Sequence, residues 1–279
     1  MVDLIQVPAK TFFLGEYLAL KGGPSLIALT NPCFQLDKTK RLHPDCVAAR
    51  FWQAHTNTAI PFGLADPFQG KGGMGASSAE FILAYHLHVG RINDREHLHR
   101  LYLEFAQTQG QAPSGYDVLA QTQEGVCLVQ MPIQERIHFE WVFRELGFVL
   151  VHTGKKLATH LHLQHTTANF EWRQLAKTTE RGIDAILQQD ADKWLDAITQ
   201  YHLHLSSIGL MAPHSQALIM ALQAQLPILA AKGCGAMGAD VVALFLEKSN
   251  IDFLKDVLIE KGYNVLATQA DLYFHNARQ

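Results

Sequence analysis

Three glycines and two serines, Gly72-Gly73-Met74-Gly75-Ala76-Ser77-Ser78, stand immediately before an apolar-periodic segment, Ala79 to Val89. Closely spaced glycines let a backbone bend tightly and approach a ligand, and Ser77 or Ser78 is suited to cap the helix that follows. The first turn of such a helix aims unpaired N–H groups and the positive end of its dipole into the loop, which suits a phosphate group. The plainer reading is a flexible loop followed by an ordinarily capped helix. The run is neither a Walker A motif, lacking the Gly-Lys-Ser/Thr after a four-residue spacer, nor a Rossmann fingerprint, whose glycine spacing differs. Fifteen histidines raise the question of a metal. They fall as His86/His88, His97/His99, His160/His162 with His165, and His202/His204, without an HExxH pair. A spacing of two puts side chains on different faces of a helix, so these read as packed or solvated histidines rather than as chelators.

The elements that must position the loop follow from pattern. Leu4 to Val7 and Lys10 to Ala19 read as strands, turned at Lys21-Gly22-Gly23-Pro24, and Ser25 to Thr30 and Val47 to Trp52 as further strands. Ser77 to Val89 carries Phe81, Ile82, Tyr85 and Val89 at helical spacing, and Arg95 to Thr108 carries Leu98, Leu101, Tyr102 and Phe105 on one face. Ala112-Pro113-Ser114-Gly115 breaks that helix; a short helix restarts at Tyr116 to Gln121, and Val126 to Gln130 reads as a strand. In the second half, strands are expected at Phe148–His152, Val241–Leu246, Asn264–Thr268 and Leu272–His275. Helices are expected at Thr178–Gln188, Ala191–Leu205, His214–Gln225 and Asp252–Glu260. Helices and strands mix in both halves, so the class is α+β. The boundary falls near residue 145, with a cleft expected between the halves.

The 279 residues are 48% hydrophobic and 18% charged, which provides for a large core and argues against disorder. The net charge of -3 offers no basic field for nucleic acid. No run approaches a membrane span, and the first residues lack the pattern of a signal peptide. The four cysteines are scattered without a CxxC pair, so a cytoplasmic, reducing setting is expected.

Three segments, in order, resemble the GHMP small-molecule kinases, the group that includes galactokinase, homoserine kinase and mevalonate kinase. Val7-Pro8-Ala9-Lys10-Thr11-Phe12-Phe13-Leu14-Gly15-Glu16-Tyr17 is similar to the family's Pro-Gly-Lys…Gly-Glu-His/Tyr segment, with Ala9 where glycine is usual. Gly73–Ser78 is similar to its phosphate loop, Gly-Leu-Gly-Ser-Ser-Ala. Lys232-Gly233-Cys234-Gly235-Ala236-Met237-Gly238-Ala239-Asp240 resembles its late glycine loop, with Met237 and Ala239 in place of glycines. Two more segments, Pro113-Ser114-Gly115-Tyr116-Asp117-Val118 and Phe148 to Lys155 with Thr159, resemble the mevalonate kinase and phosphomevalonate kinase branch. Mevalonate diphosphate decarboxylases share the fold but lack the x-Asp ending. Gly15-Glu16-Tyr17, Tyr116-Asp117-Val118 and the loop ending in Asp240 lean to phosphomevalonate kinase, and Pro113-Ser114-Gly115 to mevalonate kinase.

The resemblance implies an N-terminal nucleotide-binding domain over residues 1–145 and a ferredoxin-like C-terminal domain over 146–279, with a cleft between. It implies transfer of the ATP γ-phosphate to 5-phosphomevalonate, with mevalonate, homoserine or a sugar as alternative acceptors, and a non-catalytic ligand-binding relative as the contrasting reading. ATP phosphates would lie on Gly73, Gly75, Ala76, Ser77 and Ser78, with Mg²⁺ on Ser77 and a carboxylate, for which Glu104 is the candidate; Glu104 also fits a solvated helix face. Asp117 would take the acceptor proton and Lys10 would pair with it; Asp117 after Ser-Gly also suits a helix cap. A phosphomonoester acceptor is largely ionised at neutral pH, so the pair would then act mainly by orientation. Ser114, Gly115, Lys155, Gly235 and Ala236 would line the acceptor site, and Lys71, Lys155 and Lys232 could supply cations for a phosphorylated acceptor. Met237 reaches a positive φ less cheaply than glycine, so the late loop is either strained or shaped differently. No nucleic-acid or membrane partner is expected; a homodimer is compatible with the sequence, which does not fix the oligomeric state.

Overall fold

The computed structural model describes residues 6–107, 113–133, 137–155, 172–235 and 238–275. Two antiparallel sheets organise the chain. The first runs in the order β1 (Gln6–Leu14), β2 (Ser25–Asp37), β4 (Val126–Val129), β5 (Ile137–Phe139), with the short β3 (Gly63–Ala65) also on β2. The second runs β7 (Ala230–Cys234), β8 (Val241–Glu247), β6 (Leu146–His152), β9 (Asn264–Thr268). Taken in chain order that is 2-3-1-4, the ferredoxin-like arrangement of a split β-α-β.

Helices cover the sheets: α1 (Val47–Thr56), α2 (Ala76–Val89), α3 (Arg95–Ala106) and α4 (Tyr116–Ala120) in the first half. The second half has α5 (Trp172–Gln188), α6 (Ala191–Ser207), α7 (Pro213–Gln223) and α8 (Ile251–Glu260). Their starts are written locally. Asp94 and Asp190 cap α3 and α6 by accepting from His97 N and Lys193 N, and Pro213 opens α7.

Strand alternation gives β1 two jobs. Ala9 and Phe13 belong to the large core shared with the second half, whereas Phe12 faces a smaller cluster with Tyr116, Leu119 and Ala120 of α4. Lys10, two residues from Phe12, therefore lies on the α4 side. On the other side the fully buried Phe13 ring packs edge-on against Phe148 at 5.1 Å and Phe245 at 5.4 Å between centroids, with Trp194 at 5.9 Å. One strand thus carries both Lys10 and the aromatic contact that joins the halves.

Several expectations are corrected. Val47–Trp52 is helical, not extended: Cys46 Sγ accepts from Ala49 N and the buried Ala48, Ala49 and Phe51 take a helical face. A short apolar run fits either period, and packing decides it. Leu272–His275 forms no strand. Leu272 makes one bridge to Thr30, Tyr273 N donates to Leu29 O (2.8 Å) and Gly125 N to Tyr273 O (2.7 Å), so the chain returns to the first sheet. Lys10–Ala19 is not a strand of its own: β1 runs unbroken from Gln6 to Leu14 and a 3₁₀ turn, Leu18–Lys21, follows. The strands β3, β5 and β7 went unread, two of them only three residues long.

Candidate active site

The glycine loop is held to β1 from below: Lys10 N donates to Met74 O at 3.0 Å, and Met74 is buried. Gly75, not Ser77 or Ser78, occupies the N-cap of α2, with φ of 91°, and no side chain caps the helix. A Cβ at Gly75 would stand 2.9 Å from both Gln121 Nε2 and Lys10 Cγ, so the position demands glycine twice over. With no side-chain cap, the first amides of a 14-residue helix are left for a ligand, the arrangement that favours anions. Ala76 and Ser77 sit on that first turn, with Ser77 exposed. Ser78 turns inward and its hydroxyl donates to Gln121 Oε1 at 2.5 Å.

Lys10 and Asp117 meet. Lys10 Nζ lies 3.0 Å from Asp117 Oδ2; the lysine side chain is 8% exposed and the carboxylate 34%, so the pair opens to solvent on the acid side. Asp117 lies inside the first turn of α4, while Gly115 takes the N-cap position against the His99 ring. Gln121, one turn after Asp117, donates to Pro8 O (2.7 Å) and Gly75 O (3.2 Å) while accepting from Ser78. One face of α4 therefore fixes β1, the glycine loop and α2 together. The spacing of four from Asp117 was a legible signal that the sequence reading did not use. Ser114 O accepts from His99 Nε2 at 2.8 Å; burial lowers the His99 pKa and this bond opposes it. Burial raises the Tyr102 phenol, with the Asp117 carboxylate adding to the effect.

From the second half, Asp240 and Val241 close on the loop: a Cβ at Gly73 would stand 2.8 Å from Asp240 Cβ and 2.7 Å from Val241 Cγ2. The buried Ala239 has no positive φ, and its carbonyl accepts from Thr153 Oγ1 and His214 Nε2, the latter at 3.0 Å. Lys155 is exposed beyond Thr153, and Gly235 follows β7; Ala236 and Met237 lie outside the described residues.

Two expectations meet a different environment. Lys232 is fully buried and cannot reach a substrate phosphate. Its ammonium meets Glu16 Oε1 at 2.5 Å, Gly233 O at 3.0 Å and Phe12 O at 3.4 Å, which occupies its three donors. Burial raises the Glu16 pKa and Lys232 opposes it. Glu104 is exposed on α3, whose His99 and Leu103 touch Gly115. At about 100° per residue it projects some 140° away from His99, towards solvent. Among the described residues no group of three or more His, Cys, Asp or Glu could hold a metal. Nor is any described helix long and apolar enough to cross a membrane.

This architecture is the GHMP kinase fold. The chain matches the structure of Streptococcus pneumoniae phosphomevalonate kinase in complex with phosphomevalonate and AMPPNP at 16% identity and TM-score 0.74, covering 96% of this chain and 99% of that one. It matches Methanococcus jannaschii mevalonate kinase at 14% identity and TM-score 0.72, covering 97% and 98%. Lactococcus lactis galactokinase complexed with galactose matches at 13% identity and TM-score 0.65, covering 93% and 92%. No family model and no curated protein matches the chain.

Proposed function

We propose that this chain is an ATP-dependent kinase of a small hydroxyl- or phosphate-bearing acceptor. The observation that carries the reading is the Lys10–Asp117 pair, 3.0 Å apart, on the strand whose Lys10 amide also holds the glycine loop. Phosphoryl transfer asks a protein for positioning and charge neutralisation rather than covalent chemistry. In this reading the amides of Gly73, Gly75, Ala76, Ser77 and Ser78 receive the nucleotide phosphates. Asp117 orients the acceptor and, where it is a hydroxyl, takes its proton; Lys10 pairs with that carboxylate and offsets charge on the moving phosphoryl group. Ser114, Gly115, Lys155 and Gly235 line the acceptor side. Residues 1–145 hold the nucleotide, and 146–279 complete the pocket in a cytoplasmic enzyme.

Magnesium takes few protein oxygens and otherwise sits on phosphates and water, and the exposed Ser77 hydroxyl fits that demand. When bound, the ion neutralises phosphate charge. Glu104, exposed on α3, is the proposed carboxylate.

For the acceptor we favour 5-phosphomevalonate, supported by Gly15-Glu16-Tyr17, Tyr116-Asp117-Val118 and the Asp240 ending, with mevalonate as the alternative on Pro113-Ser114-Gly115. A coupled ADP-release assay with MgATP and each acceptor decides between them. Turnover on 5-phosphomevalonate alone is the expected result. Turnover on mevalonate alone makes Asp117 a general base, and none on either, or on homoserine and sugars, with ATP still bound points to a non-catalytic relative.

A further inference from the structure

His152 ends β6 with a ring nitrogen that nothing among the described residues satisfies. Its side chain is more than nine-tenths buried, at 8% exposure, and Nε2 has no hydrogen-bond partner among the described residues. The other nitrogen is occupied: Gly154 N donates to Nδ1 at 3.0 Å. An imidazole that accepts at Nδ1 carries its proton on Nε2 when neutral, so the unsatisfied atom is a donor. Leaving a buried donor without a partner is costly, and such an atom in a folded protein calls for an explanation.

Its direction follows from strand register. Phe148 and Leu150 of β6 belong to the core shared with the first sheet, Val149 and Val151 to the core on the opposite face. His152 continues the first set. Directly across the ladder is Val241, also in the shared core, and side chains of opposed residues stand on one face about 5 Å apart. Val241 Cγ2 is the atom against which Gly73 of the glycine loop packs. The imidazole therefore stands one residue width from the loop, on the cleft side. The charged groups that bear on it are Asp240 and Lys71; His214, on α7, spends Nε2 on Ala239 O. Burial, aided by Lys71, lowers its pKa and Asp240 opposes this, in keeping with a neutral donor.

We infer that His152 Nε2–H donates to a phosphate oxygen of the ligand held at the Gly72–Ser78 loop, making His152 a binding residue contributed by the second half. The inference rests on the kinase reading and adds to it a binding residue to which the Phe148–Lys155 segment had assigned no role. The oxygen belongs either to the terminal phosphate of the nucleotide or to the phosphate of a phosphorylated acceptor; both present the same chemistry to Nε2–H.

Two variants separate the nitrogens. In His152→Asn the side-chain oxygen replaces Nδ1 as acceptor for Gly154 N and nothing replaces Nε2; in His152→Gln the amide N–H stands near Nε2. Titration calorimetry on the full chain, with magnesium, would measure AMPPNP, ADP, 5-phosphomevalonate and mevalonate. A lost bond to a charged oxygen predicts weakening of about tenfold or more in His152→Asn, with His152→Gln within about threefold of wild type. Selective loss for AMPPNP over ADP assigns the terminal phosphate; selective loss for 5-phosphomevalonate over mevalonate assigns the acceptor phosphate. Wild-type affinities for all four ligands in His152→Asn overturn the inference and leave Nε2 to a buried water. So does equal weakening of all four in both variants with a lowered melting temperature, which makes His152 structural. If the wild-type chain binds no nucleotide, the kinase reading falls and the inference with it; if it turns over normally and the variants are silent, only the inference falls.

Discussion

Asp117 is the residue on which activity should turn. Replacing it with asparagine keeps its size and its place in α4 but removes the charge facing Lys10. If the acceptor is a hydroxyl, kcat should fall by about 10²–10⁴, the usual worth of a positioned base, with KM for ATP little changed. If the acceptor is a phosphate, the fall should be smaller and appear largely in acceptor KM, because little proton transfer remains to catalyse. Steady-state kinetics on both acceptors reads the difference. A second residue should reveal itself through stability. Burial raises Glu80, on the second turn of α2, to about 7, opposed by the Cys46 thiol and aided by Asp66. A carboxyl raised above its unfolded value of 4.5 contributes stability in full below that pH and loses it as pH rises towards 7. His202 acts the other way: burial and Lys232 hold it down to about 4, so its contribution is lost as pH falls from 6.5. The wild-type profile sums the two. The expected signature is that Glu80→Gln, compared with wild type in thermal melts from pH 4.5 to 7.5, gains stability at the neutral end and little at the acid end.

At the scale of elements the site depends on how α4 meets β1 and α2. Gln121 spans all three with one amide, bonding Pro8 O, Gly75 O and Ser78 Oγ. Gln121→Leu keeps the bulk and strands those buried groups. The cost should be about 2–4 kcal/mol, seen in chemical denaturation, because each stranded group forfeits its desolvation without recompense. Nucleotide affinity should fall with it, since the same amide sets the glycine loop over Lys10; unchanged ATP binding in a destabilised variant would separate the loop from its support. Much of this scale was readable in advance. The helices at Ala76–Val89, Arg95–Ala106 and Ala191–Ser207 carry clear periodicity, and two of them carry aspartate caps. Val47–Trp52 was misread because a short, largely apolar run satisfies both periods until it packs. Two of the missed strands are three residues long, too short to express alternation.

Across the whole molecule, the halves are fastened by Phe13 and by the ion pair of Glu16 with Lys232, residues 216 positions apart. The pair is buried on both sides, at 0% and 6% exposure. Removing one partner leaves the other charged and dry, so Lys232→Met should cost about 3–5 kcal/mol, whereas the double variant Glu16→Leu/Lys232→Met should recover much of that loss. Denaturant titrations of the single and double variants measure the coupling directly. An equal loss in both would mean that the pair's geometry, and not the uncompensated charge, holds the halves.

The sequence by itself determined the α+β class, most helices and the order of the motif segments, because these depend on local periodicity, turn chemistry and composition. It also put Lys10, Ser77 and Asp117 forward, through segments whose residue types are specific. It could not determine that Lys10 meets Asp117, that Lys232 is spent on Glu16, or that His152 stands across the ladder from Val241. Each of those depends on strand register and on helix rotation about its own axis. Register and rotation are fixed only when the two sheets close on Phe13 and its aromatic neighbours, so only the tertiary structure decided which side chains share the cleft.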